Sequence, residues 1–199
     1  MIYGLTGAHG TGKSTIIKGV KEFGVKVVES SLSRIAQTQL GWSDLSPVEQ
    51  SEENMWQFQE QILAAMFDRD IAILESRELT LVDRTPADVW GYVALWSSRI
   101  GKVDETRAKV FKGQCRALAA KYTEFIFVPI SEHIPFVAEP NRAGIDTREF
   151  HEKEVAQFIL SGGLPHSTLI TTDANQRVKH LAVRLNSIKN NKELFEKAI

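Results

Sequence analysis

The sequence is short of cysteine, short of proline, without an excess of either charge sign, and without a long apolar run. Each shortage excludes something. Cys115 alone cannot close an internal disulfide or build a paired-cysteine metal knuckle, and its neighbours Gly113, Gln114, Arg116 and Ala117 suit a helix face, so a reducing compartment is expected. Lys and Arg number 24 against 25 Asp and Glu, a net charge of -1, so no overall positive field draws the chain to nucleic acid or an anionic membrane. No stretch reaches the ~18 consecutive apolar residues of a membrane span, and the N-terminus lacks the layout of a signal peptide, so a cytoplasmic protein is expected. His133, His151, His166 and His180 do not stand at metal-ligand spacing with His9 or with one another. What is present, 199 residues with 43% hydrophobic and 25% charged, is the composition of one folded domain with a sizeable core. The balance favours work on small molecules.

Residues Met1 to Thr6 read as a buried strand, and Lys13 to Phe23 carry apolar residues at helical spacing. Val25 to Val28 is a second strand that closes on Glu29 and a serine pair. Ser46-Pro47-Val48-Glu49 combines an N-cap serine, a proline at the first helical position and a capping-box glutamate, and predicts one long helix through about Leu74. Leu79 to Val82, followed by Asp83, is a third strand, and Pro86 starts a helix that carries Trp90, Tyr92 and Trp96. Lys102 to Lys121 is helical by pattern, Phe125 to Val128 is a fourth strand, and Glu139 to Thr147 is a polar loop. Glu149 to Leu160 is a helix ended by Gly162, Gly163 and Pro165; Thr168 to Thr171 is a fifth strand; Asp173 can cap a last helix from Ala174 to about Lys189. Alternating strands and helices, with short strands that lack polar alternation, predict an α/β fold in three layers, a five-stranded parallel sheet covered by helices on both faces. One domain over residues 1–188 is expected, with a lid-like loop at about 139–148 and a separate tail at 189–199.

Gly7-Ala8-His9-Gly10-Thr11-Gly12-Lys13-Ser14 fits the phosphate-loop pattern, in which glycines let backbone N–H groups wrap a phosphate chain without side-chain obstruction. The following helix aims its positive end at those phosphates. In that pattern Lys13 bridges terminal phosphates as a point charge, the Ser14 hydroxyl enters the Mg²⁺ shell, and Thr15 completes the helix start. His9 lies inside the loop, with its side chain expected to point outward. The same cradle serves switches, motors, transporters and kinases. A GTPase needs an N-K-x-D segment, which is absent; Asp88-Val-Trp-Gly91 imitates a second GTPase element but sits in a helical pattern, where it reads as incidental. Ser161 to Gly163 resembles half of a transporter signature, yet the acidic strand end Asp83 lies far upstream, and there is little length for the lid domain of a remodelling ATPase.

A kinase reading uses more residues. Asp83 places a carboxylate at the C-terminal edge of the sheet beside the loop, where it can hold Mg²⁺ through water, accept a proton, or cap the Pro86 helix. Arg84 follows it directly. Glu29 ends the second strand at the same edge, either orienting an acceptor hydroxyl or standing as a solvated loop charge. Arg142 and Arg148 bracket the polar loop and suit stabilisation of charge on a transferred phosphoryl group.

The segments GLTGAHGTGKST, VDRTPAD and NRAGIDTREFHEKEV together resemble P-loop nucleoside and nucleotide kinases, nearest to small AAA-type ATPase/kinase-like proteins related to ribosylnicotinamide kinase and common in phage genomes. Deoxynucleoside kinases and thymidylate kinase are more distant likenesses. The resemblance covers most of Met1 to about Leu185, and only the phosphate loop and the Asp-Arg pair are specific. It implies a sheet of order 2-3-1-4-5, ATP and Mg²⁺ as cofactors, and transfer of the γ-phosphoryl group to a small nucleoside or nucleotide, with a deoxynucleoside monophosphate slightly favoured. It implies that Lys13 and Ser14 bind ATP and Mg²⁺, that Asp83 and Arg84 match the family's acidic-Arg pair, and that Glu29 matches the carboxylate after the second strand. Phe58-Gln59 resembles the pair with which deoxynucleoside kinases read a base, and Trp56, Phe58, Trp90 and Trp96 divide between base pocket and core. Thr85-Pro86 departs from the serine-led continuation of many such kinases, which leaves the acceptor open between a nucleoside hydroxyl and a nucleotide phosphate. A homodimer is compatible with the resemblance. An accessory ATPase without a small acceptor and a kinase of polynucleotide ends use the same loop and stand as alternatives.

Overall fold

The computed structural model describes residues 1–29, 31–101, 103–131, 147–171 and 173–197. Five parallel strands, β1 (Ile2–Thr6), β2 (Val27–Val28), β3 (Thr80–Asp83), β4 (Glu124–Phe127) and β5 (His166–Thr168), form one sheet in the order β2-β3-β1-β4-β5. The eight helices among the described residues are α1 (Lys13–Glu22), α2 (Leu32–Leu40), α3 (Ser46–Gln50), α4 (Glu52–Ser76), α5 (Pro86–Ile100), α6 (Glu105–Ala119), α7 (Arg148–Ser161) and α8 (Ala174–Lys197). Both the parallel sheet and its order are as expected.

Two apolar layers follow from the alternation of side chains along each strand. Tyr3, Leu5, Leu81 and Ile126 face one way and meet Ile16, Val20, Val178 and Leu181 of α1 and α8. Ile2, Val82 and Phe125 face the other way and meet Trp56, Val93, Phe111 and Val155 from α4, α5, α6 and α7. Cys115 lies wholly buried in this second layer. Gly91 permits the close approach of α5 and α7: a Cβ there would stand 2.9 Å from Val155 Cγ2 and 3.0 Å from His151 Nε2.

Three helical expectations change. The single long helix from Ser46 is two helices, α3 and α4, because Ser51 is extended (φ -156°, ψ 154°) and its hydroxyl accepts from Asn54 N at 3.1 Å, restarting the helix with a cap of its own. Residues Leu32–Leu40, for which no helix is expected from the sequence, form α2, with Leu32 and Ala36 buried and Gly41 closing the helix in the left-handed region at φ 71°. Helix α8 continues through the polar residues after Lys189 to Lys197, since nothing in that segment breaks a helix, and Lys192 Nζ donates to Arg77 O at 2.7 Å.

Candidate active site

The loop between β1 and α1 turns on three glycines in conformations that L side chains avoid, Gly7 (φ 133°), Gly10 (φ 69°) and Gly12 (φ 87°). At Gly7 space is short as well, since a Cβ would stand 2.3 Å from Val128 O of the neighbouring strand end. The loop carbonyls are taken by cations from three helices. Lys13 Nζ, at the start of α1, donates to Gly7 O at 2.8 Å and Ala8 O at 2.5 Å. Arg148, the first residue of α7, donates from Nε to His9 O at 3.1 Å and from Nη2 to Gly10 O at 3.2 Å. Arg177 of α8, buried to 1% exposure, donates from Nη1 to Thr11 O at 3.2 Å and from Nε to Thr171 O. With its carbonyls engaged on cations, the loop offers amides and a helix N-terminus as its complementary face, which suits an anion. Ser14 and Thr15 are exposed at that helix start, whereas His9 is buried rather than turned outward.

Asp88, whose segment reads as incidental in the sequence, joins the loop to the end of β3. Asp88, the third residue of α5, accepts from Thr6 Oγ1 (2.8 Å), Gly7 N (3.3 Å), Thr85 N (2.8 Å) and Thr85 Oγ1 (2.9 Å), and pairs with Arg84 Nη1 at 3.3 Å. Burial alone would raise its pKa, but Arg84, Lys13, His151 and the Thr6 hydroxyl outweigh burial and hold it below the usual value. His151 of α7 lies behind it, with Nε2 at 3.3 Å from Asp88 O and the ring tilted on Tyr92 at 4.2 Å between centroids. Burial pushes the His151 pKa from 6.5 down to about 3; Asp88 opposes that shift, while Arg84 and Lys13 add to it. The cap of α5 is thus formed by Thr85 and Asp88, not by Asp83. The Thr85-x-x-Asp88 spacing is a legible capping signal; the reach to Gly7 and His151 is not, because it spans 81 and 63 residues.

Asp83 ends β3 opposite Leu5 of β1, half-buried, and its Oδ1 has no hydrogen-bond partner. A buried carboxylate oxygen of that kind fits a hard divalent cation or a hydroxyl. Among the described residues no group of three or more His, Cys, Asp or Glu could hold a metal alone, so Mg²⁺ would depend on phosphate oxygens for part of its shell, as it commonly does. Arg84 stands in the left-handed region at φ 67°, a conformation that costs an arginine about 1–2 kcal/mol, and its guanidinium lies over the Tyr92 ring at 5.7 Å.

The other expected residues divide. Strand register sets Glu29 one step beyond the Val28–Val82 pair, beside Asp83, but its side chain is exposed and pairs with Lys21 at 3.5 Å. Gln59 is buried to 1% exposure with Oε1 lacking a hydrogen-bond partner. Trp56 is wholly buried, its indole N–H on Glu52 Oε1 at 2.9 Å and its ring 5.5 Å from that of Phe111, so it belongs to the core. Phe58 is buried against Trp42 at 5.7 Å. Arg142 and most of the 139–148 loop lie outside the described residues.

A glycine loop closed by a helix-start lysine, at the end of the central strand of a 2-3-1-4-5 parallel sheet, defines the fold of the P-loop nucleoside and nucleotide kinases. Residues 3–160 match the family model described as "AAA domain", and the chain belongs to that family. No curated protein matches it. Among solved structures it is similar to deoxyadenosine kinase from M. mycoides with the products dCMP and a flexible dCDP bound, at 17% identity over 94% of this chain and 100% of that one, with a TM-score of 0.67. The same enzyme with bound dATP matches with the same identity, coverage and TM-score of 0.67, and with bound dCTP at a TM-score of 0.65. At this identity the likeness is one of fold. No helix among the described residues is long and apolar enough to cross a membrane.

Proposed function

We propose that the protein is an ATP- and Mg²⁺-dependent phosphotransferase that moves the γ-phosphoryl group to a small nucleoside or nucleotide. The observation that carries this reading is the placement, at the ends of the adjacent strands β1 and β3, of the glycine loop that holds the Lys13 ammonium and of the unpartnered Asp83 Oδ1 next to Arg84. Phosphoryl transfer asks for little covalent chemistry and much positioning and charge neutralisation, and these groups supply both. ATP supplies the transferred group, and Mg²⁺ neutralises its charge. Lys13 exchanges its loop carbonyls for phosphate oxygens, and Ser14 and Asp83 offer oxygen ligands. Arg84 and Arg148 face charge that develops during transfer, and Arg142 is placed with them by sequence alone. The buried Gln59 amide has a free acceptor with which to read a base. Glu29 serves the acceptor only if it leaves Lys21.

The acceptor is a deoxynucleoside or its monophosphate. The sequence slightly favours the monophosphate; likeness to a kinase named for a deoxynucleoside and holding dCMP as product moves the weight toward the nucleoside. Incubation with γ-labelled ATP, Mg²⁺ and a panel of nucleosides, monophosphates and oligonucleotides tests this, with label expected on a deoxynucleoside or monophosphate. Lys13→Ala, with circular dichroism unchanged, is expected to lower transfer about 10²–10³-fold, and wild-type turnover in that variant overturns the assignment. The family description favours a second reading, an accessory ATPase, for which label would appear only in inorganic phosphate.

A further inference from the structure

The turn that follows β3 is gripped from below by a group that none of the motifs contains. Arg84 N continues the strand ladder to Leu5 O at 3.2 Å, and the chain then leaves the sheet through the left-handed conformation of Arg84. The two carbonyls that flank this turn are both held by one guanidinium: Arg69 of α4 donates from Nη1 to Asp83 O at 2.9 Å and from Nη2 to Arg84 O at 3.2 Å. Arg69 is itself aimed. Its Nε donates to Asp70 Oδ1 at 2.8 Å and its Nη2 also to Tyr122 OH at 2.9 Å, while Tyr122 OH donates to Asp70 Oδ2 at 2.7 Å. Asp70 is wholly buried and the Arg69 side chain is 8% exposed.

Each member of this ring orients the next, and the planar fork of arginine reaches two carbonyls at once, which an ammonium cannot do in the same geometry. A buried ion pair is weak evidence for stability, because desolvation offsets its attraction. Its value here is geometric. The backbone that it grips carries Asp83, with its free oxygen, and Arg84, bonded to Asp88. We propose that Arg69, aimed by Asp70 and Tyr122, is a positioning residue that holds the Asp83–Arg84 turn in its left-handed form and so sets both side chains against the transferred phosphoryl group. The inference rests on the phosphotransferase reading for its consequence and on the hydrogen-bond ring for its geometry.

The test compares wild type, Arg69→Lys and Tyr122→Phe for kcat, KM for ATP, binding of a non-hydrolysable ATP analogue and amide exchange across residues 82–86. Arg69→Lys keeps the charge and loses the fork; it is expected to bind the analogue as wild type does, to lower kcat about 10–10²-fold, and to speed exchange of the Arg84 amide while that of the glycine loop stays unchanged. Tyr122→Phe keeps the ring that stacks on Phe125 and is expected to move the same readouts in the same direction by less. Wild-type kcat with wild-type exchange in Arg69→Lys overturns the proposal, as does a loss of analogue affinity that accounts for the whole loss of turnover. Should Arg69→Lys fail to fold, Tyr122→Phe decides on the same criteria. A wild-type protein that transfers no phosphoryl group defeats the phosphotransferase reading, whereas unchanged Arg84 exchange in both variants defeats the positioning role alone.

Discussion

The ends of β3 and β2 lie side by side at the same edge of the sheet, each carries a carboxylate, and they are built differently. At β3 every neighbour of Asp83 is engaged: its carbonyl on Arg69, the following amide on Leu5, the following guanidinium on Asp88. At β2, a strand of only two residues, Glu29 stands more than half exposed with a long pair to Lys21. A charge held by a hydrogen-bonded frame acts from one place, whereas an exposed pair is screened and reorients. Under the proposed phosphotransferase reading, the difference gives the fixed role to Asp83 and leaves Glu29 to act only after rearrangement.

Three measurements press on that contrast, beginning with the largest expected effect. Asp83→Asn preserves shape and removes the charge; kcat is expected to fall about 10²–10³-fold with the melting temperature near that of wild type. Next is the pH dependence of stability, since the framed end contains a neutral buried histidine and the open end does not. His151 titrates near 6.5 unfolded and at about 3 folded, so the unfolded chain binds the extra proton first as pH falls. Its contribution to stability is therefore intact above pH 6.5 and is lost between 6.5 and 3, at up to about 1.4 kcal/mol per pH unit. Urea midpoints measured from pH 7 to 4 should decline along this slope, and His151→Gln should decline less steeply; parallel curves would remove His151 from the account. The smallest effect is expected for Glu29→Gln, with unchanged melting and a loss of kcat well below that of Asp83→Asn. Equal losses in the two variants would break the contrast and show that Glu29 moves in when substrate binds.

Four strands of the sheet were legible as short apolar runs, and Gly7 to Ser14 named its own ligand class through spacing; the fifth, expected at Thr168 to Thr171, lies instead at His166–Thr168, a polar and largely exposed edge strand that carries no apolar signal. The resemblance added the strand order. Helix α2 has a local signal, since Leu32, Ala36 and Leu40 recur at helical spacing before Gly41. The break at Ser51 was signalled by a second capping serine ahead of Glu52 and Glu53. Other parts of the site have no local signature. Arg69 meets Tyr122 across 53 residues and Arg177 meets Thr11 across 166, so only the folded chain brings them together. Trp56 illustrates the converse, an aromatic beside a candidate base reader that the helix turns into the core.

The buried thiol of α6 gives these comparisons a clock. Cys115 is the only cysteine of the chain, has no solvent exposure, and is pushed by burial far above the ordinary thiol pKa, so neither a thiolate nor an open approach is available to an alkylating reagent while α6 stays docked. Modification must wait for the Trp56 and Phe111 layer to open, and its rate counts those openings in the native population. A substitution at a strand end that disables chemistry alone will leave the rate unchanged, and one that loosens the fold will raise it.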